Sequence, residues 1–288
     1  KSGLEVLWNK DSAYRGPGSV RMGLRGRYVK PNGEVILTSV LNMATHYPFA
    51  DPRSKSDTIY QYRNEWTGPT RIAGMITVLA DGTKDLQRRA LTYQPSTRRV
   101  RLAPDYAADT PVSAAGGSWV YDDDGLFAGK RDRYDWKLIG KKEVYLPYNN
   151  YRLSYPAPNG GCTEKDAFVA NHPKPECIRW ELHRVWHVQA TLKDGRRHVY
   201  HKRDYFFDED IQSVGIAENY DQAGKLWRMN MIASVPAYEA LAPGYGEQIT
   251  LDLQTGIYFG VSIGTGIRIQ PFDENLLNSA NMTTQVIK

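Results

Sequence analysis

Apolar and polar residues alternate with a period of two along most of the chain, as they do in β-strands that bury one face. Only short stretches show the longer period of an amphipathic helix. The alternation predicts about a dozen strands, which cover residues 23–30, 34–44, 57–66, 70–80, 86–94, 98–103, 134–145, 179–192, 197–207, 212–220, 225–234, 248–253 and 257–263.

Short turns separate the predicted strands. Asn32 and Gly33 supply the positive φ angles that a tight hairpin needs, and residues 193–196 form the clearest hairpin signal. A kink is expected near Gly140, inside the strand over 134–145. Because short connections join antiparallel neighbours, the pattern indicates a long antiparallel meander.

Helices are expected to be few and short, over residues 3–15, 122–127 and 273–280. Surface loops are predicted at 105–117 and 156–175, which are rich in proline, glycine or small residues. A meander of this length can form a sandwich, a closed barrel or a strongly curved sheet wrapped on a helix. No shift in composition marks a domain boundary, so residues 1–288 are expected to form a single domain.

Composition narrows the class of protein. The 288 residues are 41% hydrophobic and 24% charged, which argues against disorder. No run of 18 or more apolar residues occurs, so no transmembrane segment is expected. The formal net charge of +5 is dispersed, and a nucleic-acid partner is not expected. The chain opens on Lys1 rather than methionine, which suggests that an N-terminal part of the full-length protein is missing from it.

The two cysteines, Cys162 and Cys177, flank a polar, proline-bounded loop. A zinc site would need two further ligands, and a catalytic thiol would not need a partner so close. A disulfide that closes the loop fits best, and it would place the protein in an oxidising compartment.

The sequence contains only weak candidates for catalytic residues. Residues 260–264 match a nucleophile-elbow pattern, but the continuation alternates like a strand instead of starting a helix. His183, His187, His198 and His201 are predicted to be solvated surface residues, with His187 opposite Lys202 across the hairpin. The acidic clusters at 122–124 and 208–210 fit a helix start and a turn better than a calcium loop. We therefore expect a binding protein without a cofactor or metal, and not an enzyme.

Large, adaptable apolar side chains dominate two predicted strand faces. Trp180, Trp186 and Val188 share one face of 179–192, while Met229 and Met231 share a face of 225–234. The chain also holds 19 Tyr and 7 Trp but only 7 Phe. Tyr, Trp and Met are typical of partly hydrated grooves and apolar binding surfaces, although a packed core explains any single residue equally well.

Five ordered motifs resemble the DUF1329 family: RRVRLAP at 98–104, DRYDWKLIGKKE at 132–143, PYNNY at 147–151, ELHRVW at 181–186 and DLQTGIY at 252–258. The family is similar to the LolA/LolB lipoprotein-carrier superfamily. This resemblance implies a mainly β fold, with a large curved antiparallel sheet that forms an incomplete barrel over a few short helices. It also implies a periplasmic location, an apolar cavity, and work alongside RND-type exporters or outer-membrane proteins. Residues 156–177 would be an inserted loop in this fold.

The sequence thus predicts a periplasmic carrier that binds a lipid or another hydrophobic molecule in an apolar half-barrel cavity and passes it to a membrane or exporter partner. The alternatives are a solidly packed interaction module that docks on such a partner and, less favoured, an enzyme on a β scaffold. The residues predicted to line the cavity are aromatic or methionine, namely Tyr60, Tyr62, Trp66, Met75, Trp180, Trp186, Trp227, Met229 and Met231.

Overall fold

The computed structural model describes residues 2–16, 18–52, 54–82, 88–103, 109–155, 160–238, 241–261 and 273–287. Its strands form one large antiparallel sheet, which confirms the predicted mainly β class. The thirteen described strands are β1 (Gly18–Val29), β2 (Val35–His46), β3 (Thr58–Gly68), β4 (Ile76–Gly82), β5 (Arg88–Gln94), β6 (Arg99–Leu102), β7 (Tyr134–Pro147), β8 (Trp180–Leu192), β9 (Lys202–Asp208), β10 (Gly215–Tyr220), β11 (Leu226–Ala237), β12 (Ala242–Asp252) and β13 (Tyr258–Val261).

The sheet consists of two meanders joined at their centre. Strands β1 to β6 follow one another in space, and so do β7 to β13, while β1 pairs with β13 from Gly26 opposite Val261 to Val29 opposite Tyr258. The consecutive strands β6 and β7 therefore lie at opposite edges of the sheet. The chain between them must cross the sheet, and we call its described part, residues 109–133, the bridging segment.

Four strands begin at least five residues from the predicted start. Two of them begin earlier than predicted, β1 at Gly18 instead of residue 23 and β12 at Ala242 instead of residue 248. The other two begin later. The strand predicted over 70–80 begins only at Ile76, because Gly74 donates its N–H to the Trp66 carbonyl oxygen in a tight turn. The strand predicted over 197–207 begins at Lys202, so His187 lies opposite Phe206 and not opposite Lys202. The kink near Gly140 is confirmed as a register shift in β7.

Helices are short, as predicted. Helix α1 (Gly3–Ser12) begins with a capping box, in which Glu5 N–H donates to Ser2 Oγ and the Glu5 carboxylate accepts from Ser2 N–H. Helices α2 (Tyr151–Ser154) and α3 (Glu164–Ala167) are single turns. The predicted C-terminal helix is a pair of 3-10 turns, Glu274–Leu277 and Ser279–Asn281. Within the described ranges, no helix is long and apolar enough to cross a bilayer.

The two faces of the sheet are covered by different parts of the chain. We call the face that carries Val188 and Tyr205 the inner face, and α1 packs there through Val6 and Leu7. The opposite, outer face carries Val185 and a second apolar cluster, which the segment 148–178 covers. Both faces are therefore buried over β8 to β11, because strand residues alternate between them.

The C-terminal segment, residues 273–287, covers the outer face of the other meander. There the fully buried guanidinium of Arg63 donates to the carbonyl oxygens of Leu276 at 2.9 Å and Met282 at 3.1 Å. A buried cation needs this many acceptors to offset its lost hydration. The C-terminal segment is thus attached to β3 through Arg63 and also through Glu65, whose carboxylate accepts from the Ile287 N–H at 3.1 Å.

A disulfide joins Cys162 and Cys177, as the sequence predicted, with 5.9 Å between the two Cα atoms. Both cysteines belong to the outer-face apolar cluster. The bond therefore closes the segment over 148–178 that covers the outer face, and we call it the disulfide segment. Residues 156–159 of it lie outside the described ranges.

Replacing both cysteines with serine should lower the free energy of unfolding by about 3 kcal/mol, because the unfolded chain loses a cross-link over 15 residues. Urea titration monitored by tryptophan fluorescence measures this loss. The wild-type protein in dithiothreitol is the control and should show the same decrease. Equal midpoints for the oxidised wild type and the variant would contradict the assigned stabilising role.

Candidate ligand-binding site

A fully buried cation holds the bridging segment against the inner face. Arg203 of β9 donates from Nη1 to Asp122 Oδ1 at 3.1 Å, and from Nη2 to Asp123 Oδ1 at 2.6 Å and the Leu126 carbonyl oxygen at 3.2 Å. Its Nε donates to Asn219 Oδ1 at 2.7 Å. Arg203 thus makes three hydrogen bonds to the bridging segment and one to Asn219 of the neighbouring strand β10.

Neutral and basic side chains extend this buried cluster. Tyr200 donates its hydroxyl to Asp123 Oδ2 at 2.9 Å and accepts from Arg228 Nη1 at 3.2 Å. His198 Nε2 lies 2.9 Å from Asp122 Oδ2, and both side chains are almost completely buried. The expectation of a solvated His198 was wrong, because the loop before β9 folds inward over the bridging segment.

The sequence predicts that the acidic run 122–124 starts a helix. It lies instead in a 3-10 turn, Tyr121–Leu126, that is interrupted at Asp124 and Gly125, and Asp122 and Asp123 point into the protein. Burial opposes ionisation of Asp122, but the charges of Arg203 and His198 outweigh it and hold the pKa of Asp122 below its ordinary value.

Burial raises the pKa of Asp123, and the charge of Arg203 offsets this effect only in part, since Asp122 lies beside it. The cluster joins a segment without regular structure to the sheet, and this attachment determines where the bridging segment lies.

The bridging segment encloses a cavity over the inner face of the first meander. The cavity has a volume of about 240 Å³. Strands β1 to β4 form its floor, and residues 112–115, 119–121, 124–125 and 127–128 cover it. The C-terminal end of α1 and the central strands β12 and β13 complete the wall. Small-molecule sites usually measure roughly 300–1,000 Å³, so this cavity fits a small ligand or one chain of a larger one.

Cross-strand register arranges the cavity floor in rows. At one end Leu24, Leu41 and Trp66 lie opposite one another and form an apolar cluster. The next row contains Arg21, Met43 and Asn64. Farther along the strands lies the row Ser19, Thr45, Tyr62 and Leu79, and beyond it Tyr60, Asp81 and Arg88.

The far end of the cavity is charged. Arg88 forms a bidentate pair with Asp81, at 2.8 and 2.7 Å. Lys10 of α1 donates to Asp11 Oδ1 at 2.9 Å, and burial lowers the pKa of Lys10 despite this partner. Burial also raises the pKa of Asp124 against the charges of Arg88 and Lys10. The cavity thus has an apolar end and a polar end.

Four of the nine residues predicted to line a cavity lie together here: Tyr60, Tyr62, Trp66 and Met75. The other five are not among its lining residues. Met229 and Met231 pack in the outer-face cluster under the disulfide segment, and Trp186 packs against the inner-face core. Trp227 donates its Nε1 to Asp252 at 2.9 Å, and Trp180 lies partly exposed at the start of β8.

Sequence reasoning missed other lining residues, among them Met43, Trp119 and Phe259. Met43 alternates in phase with Leu41 on β2, so the period-two pattern contained a usable signal. Trp119 lies in the bridging segment, where no periodicity indicates which way a side chain points.

The structure also places the candidate catalytic groups. His187 Nε2 lies 2.9 Å from Asp204 Oδ1, and His183 Nδ1 lies 2.8 Å from Asp208 Oδ2. Within the described part of the chain, no three His, Cys, Asp or Glu side chains are grouped so as to hold a metal ion. Ser262, from the nucleophile-elbow pattern, lies outside the described residues.

Comparisons with known proteins agree with this architecture. The sequence profile of the family described as "Protein of unknown function (DUF1329)" matches residues 1–286. The chain is 36% identical over 268 residues to the uncharacterized protein PA3922 of Pseudomonas aeruginosa. That match covers 91% of this chain but 58% of the relative, so the chain spans somewhat more than half the relative's length.

Three crystal structures resemble the fold. A DUF1329 family protein from Desulfovibrio piger has a TM-score of 0.65 at 11% identity and 98% coverage of both chains. A putative outer membrane lipoprotein-sorting protein domain from Vibrio parahaemolyticus has a TM-score of 0.65 at 14% identity and 97% coverage of both. The LolA superfamily protein NE2245 from Nitrosomonas europaea has a TM-score of 0.53 at 11% identity, covering 97% of this chain and 99% of that one. The predicted LolA-like fold class is confirmed.

Replacing Arg203 with methionine should lower the free energy of unfolding by about 3 to 5 kcal/mol, because it leaves two buried carboxyl groups without their cation. The triple variant with Asp122→Asn and Asp123→Asn added should recover part of that loss. Thermal and urea unfolding measure both effects. Arg196→Met is the control, since Arg196 pairs with Asp132 on the surface, and it should cost at most about 0.5 kcal/mol. Similar losses for Arg203→Met and Arg196→Met would show that the cluster does not anchor the segment.

Proposed function

The chain belongs to the DUF1329 family, and on this premise we propose that it is a periplasmic carrier for a lipid or another hydrophobic molecule. The ligand would occupy the cavity between the bridging segment and the first meander. Each buried methylene group contributes roughly 0.8 kcal/mol, so a short chain can bind without a large set of polar contacts. Tyr60, Tyr62, Trp66 and Met75 are the proposed contacts among the residues expected from the sequence.

One observation carries this proposal. The same inner face is packed solidly over β8 to β11, where α1, Leu126 and Phe127 fill it, yet it is left open over β1 to β4. The bridging segment crosses both regions, whereas Val6 and Leu7 of α1 fill the inner face over β8 to β11. Protein interiors are normally packed as densely as organic crystals, and an apolar space of this size favours a ligand over a packing defect.

The proposed location and the proposed absence of catalysis rest on separate observations. The disulfide favours an oxidising compartment such as the periplasm. A fold shared with a putative lipoprotein-sorting domain favours carriage of apolar cargo. The cavity's own titratable groups, Lys10 and Asp81 among them, are engaged in ion pairs at one end, which favours a role in ligand orientation rather than chemistry.

Delivery requires a docking surface, and the sheet offers one at its β7–β8 edge. Tyr145 and Leu182 lie opposite each other there and are 62% and 55% exposed, with Trp180 close by. Exposed apolar side chains at one edge favour contact with a membrane or protein partner. We propose an RND-type exporter or an outer-membrane protein as the recipient.

Native mass spectrometry of gently purified protein tests whether a ligand is carried. The expected result is a mass shift from a co-purifying hydrophobic molecule that is lost on denaturation. A second measurement is the fluorescence of N-phenylnaphthylamine, an uncharged apolar dye, which should rise on binding and saturate at one dye per chain. Absence of both signals would overturn the proposed function.

Filling the cavity should abolish dye binding. Met75→Trp places a larger side chain in the apolar end, and we expect the dye affinity to fall at least about tenfold, since overpacking removes the space that the dye needs. Leu182→Trp is the matched control, because it adds the same side chain at an exposed site outside the cavity and should leave the affinity unchanged. Equal affinities for both variants would place the dye elsewhere.

A further inference from the structure

The net charge of the chain is concentrated in one hairpin. Strands β5 and β6 and their turn, residues 88–103, contain five arginines and no aspartate or glutamate. These five equal the formal net charge of +5, which leaves 32 basic and 32 acidic side chains in the rest of the chain. A cluster of one sign creates a local field that interspersed charges do not create. We call residues 88–103 the arginine hairpin.

Four of the five arginines are exposed and have no ion pair within the described part of the chain. They are Arg89, Arg98, Arg99 and Arg101. Arg88 differs, since it pairs with Asp81 in the cavity wall. Exposed arginines elsewhere, such as Arg184 and Arg196, also pair with carboxylates. The four guanidinium groups of the hairpin therefore keep their N–H donors for an anionic partner outside the chain.

The turn of the hairpin contains an arginine where the backbone favours glycine. Arg98 has a φ angle of 52°, in the left-handed region that a residue with a Cβ atom adopts at a cost in energy. Its N–H donates to the Pro95 carbonyl oxygen at 3.3 Å. Its side chain is exposed and forms no ion pair with a described residue, so the fold gains no salt bridge in return. A role in binding accounts for this arginine better than a role in folding.

Apolar side chains lie on the outer face of the same hairpin. Cross-strand register places Leu91 opposite Leu102 and Tyr93 opposite Val100. Strand β6 is at an edge of the sheet, and Leu102 and Val100 are 68% and 42% exposed there. Exposed apolar side chains that lie together indicate a contact surface.

Cations and apolar side chains alternate along β6. Arg99 and Arg101 lie on one face of the strand, and Val100 and Leu102 lie on the other. An anionic bilayer surface satisfies both kinds of side chain, because phosphates pair with arginine and the interface buries apolar groups. A nucleic acid would leave the apolar side chains in water. A strand of four residues offers few backbone groups for the addition of a protein strand.

The arginine hairpin lies beside the cavity. Arg88 is among the cavity's lining residues, and Ala103 packs against Tyr62 and Leu79, which line it as well. The apolar β7–β8 edge lies at the opposite end of the strand order. A surface bound by the hairpin is thus close to the cavity, whereas a partner bound at the β7–β8 edge is not.

We propose that the arginine hairpin binds the surface of a bilayer that contains anionic phospholipids. The guanidinium groups pair with lipid phosphates, because their planar N–H fork matches phosphate oxygens. Leu102 and Val100 enter the interfacial region. The inference goes beyond the proposed carrier function, since binding to a bilayer needs no ligand in the cavity.

Co-sedimentation of the full chain with vesicles at low ionic strength tests this inference. One set of vesicles contains phosphatidylcholine alone, and the other contains equal parts of phosphatidylcholine and phosphatidylglycerol. Each arginine near an anionic surface contributes a factor of about five, so four should raise the partition coefficient on the anionic vesicles at least about a hundredfold. Added salt should reduce this preference, because it screens the charges.

The double variant Arg99→Gln/Arg101→Gln should lower the partition coefficient about 25-fold. Arg196→Gln/Arg197→Gln is the matched control, because it removes the same charge at exposed positions between β8 and β9 and should leave binding unchanged. Arg98→Gly should weaken binding about fivefold without lowering the urea midpoint, since glycine fits the positive φ angle. Leu102→Ser should weaken binding about tenfold through lost apolar burial.

Several results would overturn the inference. Equal binding to the two kinds of vesicle would do so, and so would equal losses for the hairpin double variant and its matched control. Unchanged binding of Leu102→Ser would overturn the entry of apolar side chains into the interface. Tighter binding to polyglutamate or to a DNA duplex than to the anionic vesicles would indicate an acidic protein or a nucleic acid instead of a bilayer. None of these results affects the dye-binding test of the carrier function.

Discussion

The buried pairing of Arg203 with Asp122 and Asp123 determines the arrangement of the inner face. The bridging segment has little regular structure, and apolar packing alone would leave its position poorly defined. Buried ion pairs contribute little net stability compared with apolar replacements, but removal of one partner is costly. We infer that the cluster mainly fixes position, because it places Leu126 and Phe127 in the core and the neighbouring residues over the cavity.

The rest of the architecture follows from a sheet whose two faces must both be covered. The disulfide segment and the C-terminal segment cover the outer face of the two meanders in turn. On the inner face α1 fills one half, and the bridging segment covers the other half. With these two segments packed on the outer face, the inner cavity is the place where the molecule can accept a ligand without losing core contacts.

The features that the sequence could predict are those set by neighbouring residues along the chain. Period-two alternation identified the strands, the glycine turns identified the hairpins, and the resemblance to a known family supplied the curved sheet. The pairing of β1 with β13 could not be predicted, since it joins residues more than 200 positions apart. The Met229 and Met231 face was indistinguishable from a cavity wall, because burial under the disulfide segment leaves no local pattern. The position of Arg203 did contain a usable signal. It shares a strand face with Tyr205 and Phe207, so its side chain is expected to be buried and to need a buried carboxylate. The acidic run 122–124 supplies that carboxylate.

A crystal structure with a chain-terminal brominated dodecanoic acid tests the central claim most directly. Anomalous scattering locates the bromine without assumptions about the ligand's pose. The account predicts one bromine peak inside the cavity beneath the bridging segment. A peak outside the cavity, or a water-filled cavity in the presence of saturating acid, would contradict it.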